Sequence, residues 1–173
     1  MRASLGTEFK IEALVGARMQ SKAGGPSGSE LWHTDGYPGT CIKVLFYLSE
    51  TSSDNGSMEC MDWPTSYEIL KRMRKSISQN GEFESRAAKA EFYNQLIKEK
   101  YSDRITQVVA PAGAAIIWTN NCIHKGGFQQ EGFERYSIGM ALYPSDQAAD
   151  FKKYRQDGCS KKPSFPVDDS VRL

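Results

Sequence analysis

The segments Trp32-His33-Thr34-Asp35 and Ile123-His124 hold the two histidines of the chain, and the first stands two residues before a carboxylate. In an extended segment residues i and i+2 project to one side, about 6.6 Å apart at ~3.3 Å per residue. His33 and Asp35 can therefore lean toward one ion from a single strand, with His124 as the imidazole that completes the set. Two imidazoles and one carboxylate on one face of an octahedral ion leave three positions open, the donor set of non-haem ferrous sites. A plainer reading stands beside it: Asp35 can orient a packed histidine or cap a turn.

A second group of chemical interest begins at Arg135. Arg135, Ser137, Gly139 and Ala141 alternate onto one face of an apparent strand, with Ile138, Met140 and Leu142 on the other, core-like face. A guanidinium beside a hydroxyl offers a planar fork of donors plus one more, which suits a carboxylate. Gly139 and Ala141 leave room for such a ligand. The competing reading is a surface arginine paired with Glu134 or Glu131.

These residues must be positioned by strands. Phe9, Ile11, Ala13, Val15, Ala17 and Met19 alternate with mostly polar or small residues and predict a long half-buried strand. IKVLFYLSE (42–50) is apolar on both faces, as a central strand is, and SSDNGS (52–57) is a turn. MECM (58–61) can resume a strand, and strand patterns return in ITQVVAP (105–111), AAIIWTN (114–120) and RYSIGMALYP (135–144). Between them Thr65 and Glu68 have capping-box spacing ahead of Tyr67, Leu70, Met73 and Ile77 at helical intervals. Ala88, Phe92 and Leu96 mark a second amphipathic helix over 84–100. Short strands with one helical insert, about 64–103, predict a mainly β sandwich or barrel in one domain spanning 1–173, with a loosely ordered tail over about 157–173.

The formal net charge of +1 gives no whole-protein field for nucleic acid or an anionic membrane. The basic clusters KRMRK (71–75) and KKYR (152–155) read as solvated helix faces. No run approaches the ~18 apolar residues of a membrane span, and MRASLGTEFK lacks the apolar core of a signal peptide. Cys41, Cys60, Cys122 and Cys159 form no C-x-x-C pair, which argues against a zinc knuckle or redox dithiol and predicts a reduced, cytoplasmic protein. The sequence is silent on oligomeric state.

WHTD, the strand IKVLFYLSE with its following DNG, PAGAAIIWTNNCIHKGG and ERYSIGMALYP occur in an order that resembles the Fe(II)- and 2-oxoglutarate-dependent dioxygenases, above all the phytanoyl-CoA hydroxylase-like group. The resemblance covers about residues 9–144 and implies a double-stranded β-helix, the cupin-like jelly roll. It implies that His33, Asp35 and His124 bind Fe(II) and that Arg135, with Ser137, holds the distal carboxylate of 2-oxoglutarate. Lys43, Leu45 and Tyr47 share one strand face, the cosubstrate wall in relatives, so Lys43 or Tyr47 is expected to touch 2-oxoglutarate. The activity implied is hydroxylation of a small molecule with O2, releasing succinate and CO2 and aided by ascorbate. Asp35 stands where halogenating relatives carry a small residue, which points away from halogenation.

Around these residues Trp32, Tyr37 and Trp118 are expected to roof the pocket, and Asn120 and Asn121 to orient His124. Gly126 and Gly127 are expected to ease the following turn through positive φ. The helical insert carries no function legible in the sequence. Two other classes compete: a cupin-like metal protein of different chemistry, which has no need of Arg135 with Ser137, and a non-catalytic binding protein on the same fold.

Overall fold

The computed structural model describes residues 8–21, 24–35 and 41–145 of the 173-residue chain. The tail beyond 145, with Cys159 and the 152–155 cluster, and Tyr37 lie outside these residues. The molecule is mainly β, with two antiparallel sheets and two helices. The strands are β1 (Glu8–Gln20), β2 (Ile42–Tyr47), β3 (Glu59–Cys60), β4 (Thr106–Gln107), β5 (Ala115–Thr119), β6 (His124–Lys125) and β7 (Glu134–Ser145). A four-stranded sheet runs β1-β7-β2-β5 and a three-stranded sheet β4-β3-β6. Among the described residues no helix is long and apolar enough to cross a membrane.

β2 is central, as its two apolar faces predict, and its register sets the ligand face. Lys43 lies opposite Ala141 and Trp118, Leu45 opposite Gly139 and Ile116, and Tyr47 opposite Ser137. Opposed residues of an antiparallel pair project to the same side, so Lys43, Leu45 and Tyr47 share a face with the small residues of β7. Pairing extends through β1, where Ala17 meets Ser137 and Met19 meets Arg135. The alternation expected over 9–19 is broken, because the register skips a residue between Ile11 and Ala13. Ile11 faces Leu142 across the ladder, whereas Ala13 faces Ala141, so a bulge moves the two to opposite sides.

Both helices form where expected, with different details. Helix α1 (Trp63–Asn80) starts one turn earlier than a Thr65 cap implies: the Asp62 carboxylate accepts the Thr65 N–H at 2.9 Å, and Pro64 sits in the first turn. Its inner face carries Ile69, Leu70 and Met73, while Tyr67 is exposed. Helix α2 (Arg86–Lys100) is capped by Ser85 and buries Ala90, Tyr93 and Ile97, one position on from the predicted stripe. Tyr93 and Ile97 are i, i+4 neighbours, and Phe92 and Leu96 pack only partly.

One hydrophobic cluster gathers Ile69, Leu70, Met73, Tyr93, Ile97 and Tyr101 from the insert. It also takes in Trp32, Met61 and Ile123. The insert is therefore packed behind the segments that carry both histidines.

Candidate metal centre

His33 and His124 face each other across an isolated antiparallel bridge. The N–H of His33 donates to the His124 carbonyl at 2.9 Å, and that of His124 to the His33 carbonyl at 3.0 Å. Extended residues alternate sides, so Trp32 and Ile123 point one way, into the helical cluster, and the two imidazoles point the other. Both apolar neighbours are buried, Ile123 fully. Packing at the preceding position thus aims each ring.

The ring nitrogens are assigned by their partners. His33 Nδ1 lies 2.7 Å from the Leu31 carbonyl and His124 Nδ1 lies 2.9 Å from the Cys122 carbonyl. A carbonyl only accepts, so each Nδ1 carries the hydrogen and each Nε2 keeps its lone pair. His124 Nε2 is 3.6 Å from Asp35 Oδ2, and His33 Nε2 is 4.0 Å from Asp35 Oδ1. One ligating atom from each of the three residues lies within 4.8 Å of the others. These gaps are too long for hydrogen bonds and wide enough to admit an ion bonded at about 2.0–2.2 Å to each ligand.

Burial, and next the neighbouring His33, depress the His124 pKa to about 4, so the ring is neutral at neutral pH, the form that binds metal. Asp35 Oδ2 is buried with no hydrogen-bond partner. The Lys43 ammonium sits 3.8 Å from that oxygen and offsets its charge. The donor chemistry and the orphaned carboxylate oxygen both fit a divalent cation. Trp118 stands beside the cluster, its ring edge-on to His124 at 5.2 Å. Trp32 instead belongs to the helical cluster. The Nδ1 anchors are the Leu31 and Cys122 carbonyls rather than Asn120 or Asn121 side chains, and the Asn120 N–H donates to the Cys41 carbonyl at 3.1 Å. Backbone anchors leave no residue-type signal, which is why the sequence does not disclose them.

Arg135, Tyr47 and Ser137 form a second buried group. The paired-surface reading of Arg135 fails, because Glu134 bonds Arg18 and accepts from the Tyr136 hydroxyl at 2.6 Å, while Arg135 is 5% exposed. The Arg135 Nη1 donates to the Gly56 carbonyl, and the Tyr47 ring centroid lies 5.9 Å from its guanidinium carbon. Nε has no partner, and no carboxylate is ion-paired with Arg135 among the described residues. Burial lowers its pKa, with Tyr47 opposing that shift. Burial likewise raises the Tyr47 phenol, whose oxygen accepts the Met58 N–H at 3.3 Å. The buried Glu30 carboxylate acts on the guanidinium electrostatically without forming a close ion pair with it.

Gly126 connects the two groups. It follows His124 by two residues, its N–H donates to the Ser29 carbonyl at 2.7 Å, and a Cβ placed on it would lie 3.6 Å from Arg135 Nη2. Neither Gly126 nor Gly127 has positive φ, so their small size answers to space rather than backbone conformation. At Gly127 a Cβ would meet the Ser57 carbonyl at 2.4 Å. Gly56, at φ 74° in the Asn-Gly turn, supplies the carbonyl that holds Arg135. Its role is visible in the sequence only as a turn signal.

No family model matches the sequence, and neither does any curated protein. Solved structures do share its fold. The non-haem α-ketoglutarate-dependent epimerase SnoN from nogalamycin biosynthesis superposes with a TM-score of 0.53 at 13% identity, covering 97% of this chain and 61% of that one. HygX from Streptomyces hygroscopicus, with nickel and 2-oxoglutarate bound, gives 0.52 at 15% identity over 85% of this chain and 60% of its own. EctD from S. alaskensis, with 2-oxoglutarate and 5-hydroxyectoine, gives 0.50 at 16% over 83% and 47%. The chain spans about half to three-fifths of the length of these proteins. The likeness is one of fold: a mainly β architecture with two antiparallel sheets, which in this chain is accompanied by the His33-Asp35-His124 cluster.

Proposed function

We propose that residues 1–173 form a single Fe(II)- and 2-oxoglutarate-dependent oxygenase domain that hydroxylates a small molecule. In this reading the two sheets are the walls of a double-stranded β-helix, and the nearest kinship is with the phytanoyl-CoA hydroxylase-like group, on the ordered motifs from WHTD to ERYSIGMALYP. The observation that carries the reading is the convergence of one ligating atom each from His33, His124 and Asp35 within 4.8 Å, with both Nδ1 atoms fixed on backbone carbonyls.

His33, Asp35 and His124 would hold the metal. When bound, the metal and 2-oxoglutarate supply O2 activation, with release of succinate and CO2. The protein's part is binding and orientation. Arg135 would offer a buried guanidinium to the distal carboxylate, with Ser137 and Tyr47 on the same sheet face. Lys43, 3.8 Å from Asp35 Oδ2, or Tyr47 would touch 2-oxoglutarate.

The test is succinate formation from 2-oxoglutarate by anaerobically purified protein given Fe(II), ascorbate and air. Slow turnover without added substrate, absent in His33→Ala and Asp35→Asn, is the expected result. Tight Mn(II) binding at these residues with no affinity for 2-oxoglutarate would move the protein to the cupin-like class. Binding of both without succinate would move it to the non-catalytic class.

A further inference from the structure

Two side-chain hydroxyls of the helical insert reach the segments that carry the candidate ligands. The first is Ser66, fully buried in the first turn of α1. In the β3–β6 ladder Cys60 faces His124; one step further Met61 faces Ile123, and the Met61 N–H donates to the Ile123 carbonyl at 2.9 Å. In a hydrogen-bonded antiparallel pair the two residues exchange both bonds. Here the serine hydroxyl stands in the place of the return bond. It accepts the Ile123 N–H at 2.9 Å and donates to the Met61 carbonyl at 3.4 Å. One hydroxyl can do both, having a single hydrogen and two lone pairs. Helix α1 is thus spliced into the ladder one residue before His124.

The second is the phenol of Tyr93 on α2, which is buried. Its O–H donates to the Met73 sulfur at 2.8 Å, and its oxygen accepts the Thr34 hydroxyl. Alternation puts Thr34 with Trp32 on the insert side and His33 and Asp35 on the other. The chain is therefore held from behind at the residue between two ligands. That hold matters most for Asp35, whose buried Oδ2 has no hydrogen bond of its own.

We propose that Ser66 and Tyr93 are positioning residues for the metal centre. Ser66 sets the line of the strand at His124, and Tyr93, through Thr34, sets the placing of Asp35 relative to His33. Apolar packing is non-directional and lets a segment slide, whereas a hydrogen bond weakens steeply as its angle closes. Neither hydroxyl lies on the imidazole side, so neither would touch the ion. Positioning in this sense rests on the metal reading of His33, Asp35 and His124, while the two hydroxyl contacts stand without it. The insert thereby gains a task beyond covering apolar surface.

The test titrates Mn(II) into the full chain and follows it by electron paramagnetic resonance. Ser66→Ala and Tyr93→Phe should each weaken binding about tenfold, the low end of losses on removing an outer partner of a metal ligand. Ile97→Val opens a cavity in the same cluster without removing a hydroxyl and should bind as the parent does. Thr34→Ser keeps the hydroxyl and should keep the affinity. Thr34→Val, Tyr93→Phe and their double variant should coincide, because all three remove one bond. Parent-like affinity in Ser66→Ala or Tyr93→Phe overturns the role of that residue, and an equal loss in Ile97→Val overturns both.

The metal-free, isotope-labelled chain separates the two readings. Its two histidine ring Cε1–H resonances should move in Ser66→Ala and Tyr93→Phe and stay in Ile97→Val. The Ile123 amide of the parent should exchange slowly with solvent, and rapid exchange would overturn the Ser66 contact whatever the fate of the variant. Failure of the parent to bind Mn(II) would overturn the metal reading and with it the positioning role, while the ring resonances still decide whether the hydroxyls fix the imidazoles. Normal Mn(II) binding with affinities and resonances indifferent to both hydroxyls would overturn the positioning role and leave the metal reading intact.

Discussion

His33 and His124 are backbone partners, each donating its N–H to the other's carbonyl, at 2.9 and 3.0 Å. The residue before each, Trp32 and Ile123, is buried in the same helical cluster. Two imidazoles far apart in the chain are therefore fixed relative to one another twice, by a bridge between main chains and by a shared apolar anchor. For a metal centre this matters, because ligand geometry set before the ion arrives need not be organised by the ion.

That arrangement makes Ile123 a positioning residue. Ile123→Ala is expected to cost about 2–5 kcal/mol of stability, as for other buried large-to-small changes. It should also weaken Mn(II) binding, because the strand behind His124 loses its anchor. Ile123→Val should cost about 0.5–1.5 kcal/mol and keep the affinity. Denaturant unfolding and Mn(II) titration by electron paramagnetic resonance measure the two effects. A strongly destabilised Ile123→Ala with unchanged Mn(II) affinity would separate the helical insert from the metal centre.

The guanidinium of Arg135 is buried, bonded to the Gly56 carbonyl and acted on electrostatically by buried Glu30. Arg135→Met keeps the volume but removes the bond to the Gly56 carbonyl and the charge that acts on buried Glu30, so its melting temperature in the absence of ligand should fall below that of the parent. The same variant should lose 2-oxoglutarate binding at least a hundredfold, since a bidentate charge-assisted contact is gone. Arg135→Lys should fall between, because the charge survives and the fork does not. Calorimetry with Mn(II)-loaded protein reads the affinities, and unaltered binding in Arg135→Met would remove the carboxylate assignment.

The candidate site residues were legible because their types are scarce or chemically loud. Two histidines, one with an i+2 carboxylate, and an arginine heading a strand of small residues narrow the chemistry sharply once extended periodicity places them on faces. The strands β2, β5 and β7 were legible for the same reason, as apolar alternation survives in their one-letter patterns. The buried face of α2 lies one position from the expected stripe, since Ala88, Phe92 and Leu96 and the buried Ala90, Tyr93 and Ile97 both recur near the helical period, and packing alone chooses between them. The bulge after Ile11 has no residue-type signature either, and it reversed one side of an otherwise clean alternation. What stayed hidden was carried by backbone atoms and by space: the carbonyls of Leu31 and Cys122, the Gly56 carbonyl and the crossing at Gly127.

A pH dependence follows from His124. Its folded-state pKa lies at about 4 against an ordinary 6.5, with burial as the main cause. The unfolded chain therefore takes up the proton first as pH falls. Stability contributed by the neutral, buried ring is fully present above about 6.5 and is lost as pH falls toward about 4. Metal-free protein should accordingly lose stability across this window more steeply than His124→Gln, which has no ring to protonate. Thermal unfolding at a series of pH values decides it, and parallel curves for the two proteins would contradict the buried neutral ring.

The crossing of Gly127 over Gly56 gives a contrast between adjacent glycines. A Cβ at Gly127 would stand 2.4 Å from the Ser57 carbonyl oxygen and 2.7 Å from the Gly56 carbonyl carbon, both main-chain atoms that yield only by moving the turn. At Gly126 the nearest atoms are at 3.5 and 3.6 Å, ordinary contact. Gly127→Ala should therefore cost about 1–3 kcal/mol, as overpacking does, and Gly126→Ala should be close to neutral in stability. Because the Gly56 carbonyl is the acceptor that holds Arg135, displacement at Gly127 should also weaken 2-oxoglutarate binding with Mn(II) affinity unchanged. Unfolding midpoints and paired titrations of the two variants measure this. Equal stabilities would mean the crossing is slack, and a loss of Mn(II) affinity in Gly127→Ala would mean that the Arg135 cradle and the histidine pair move as one unit.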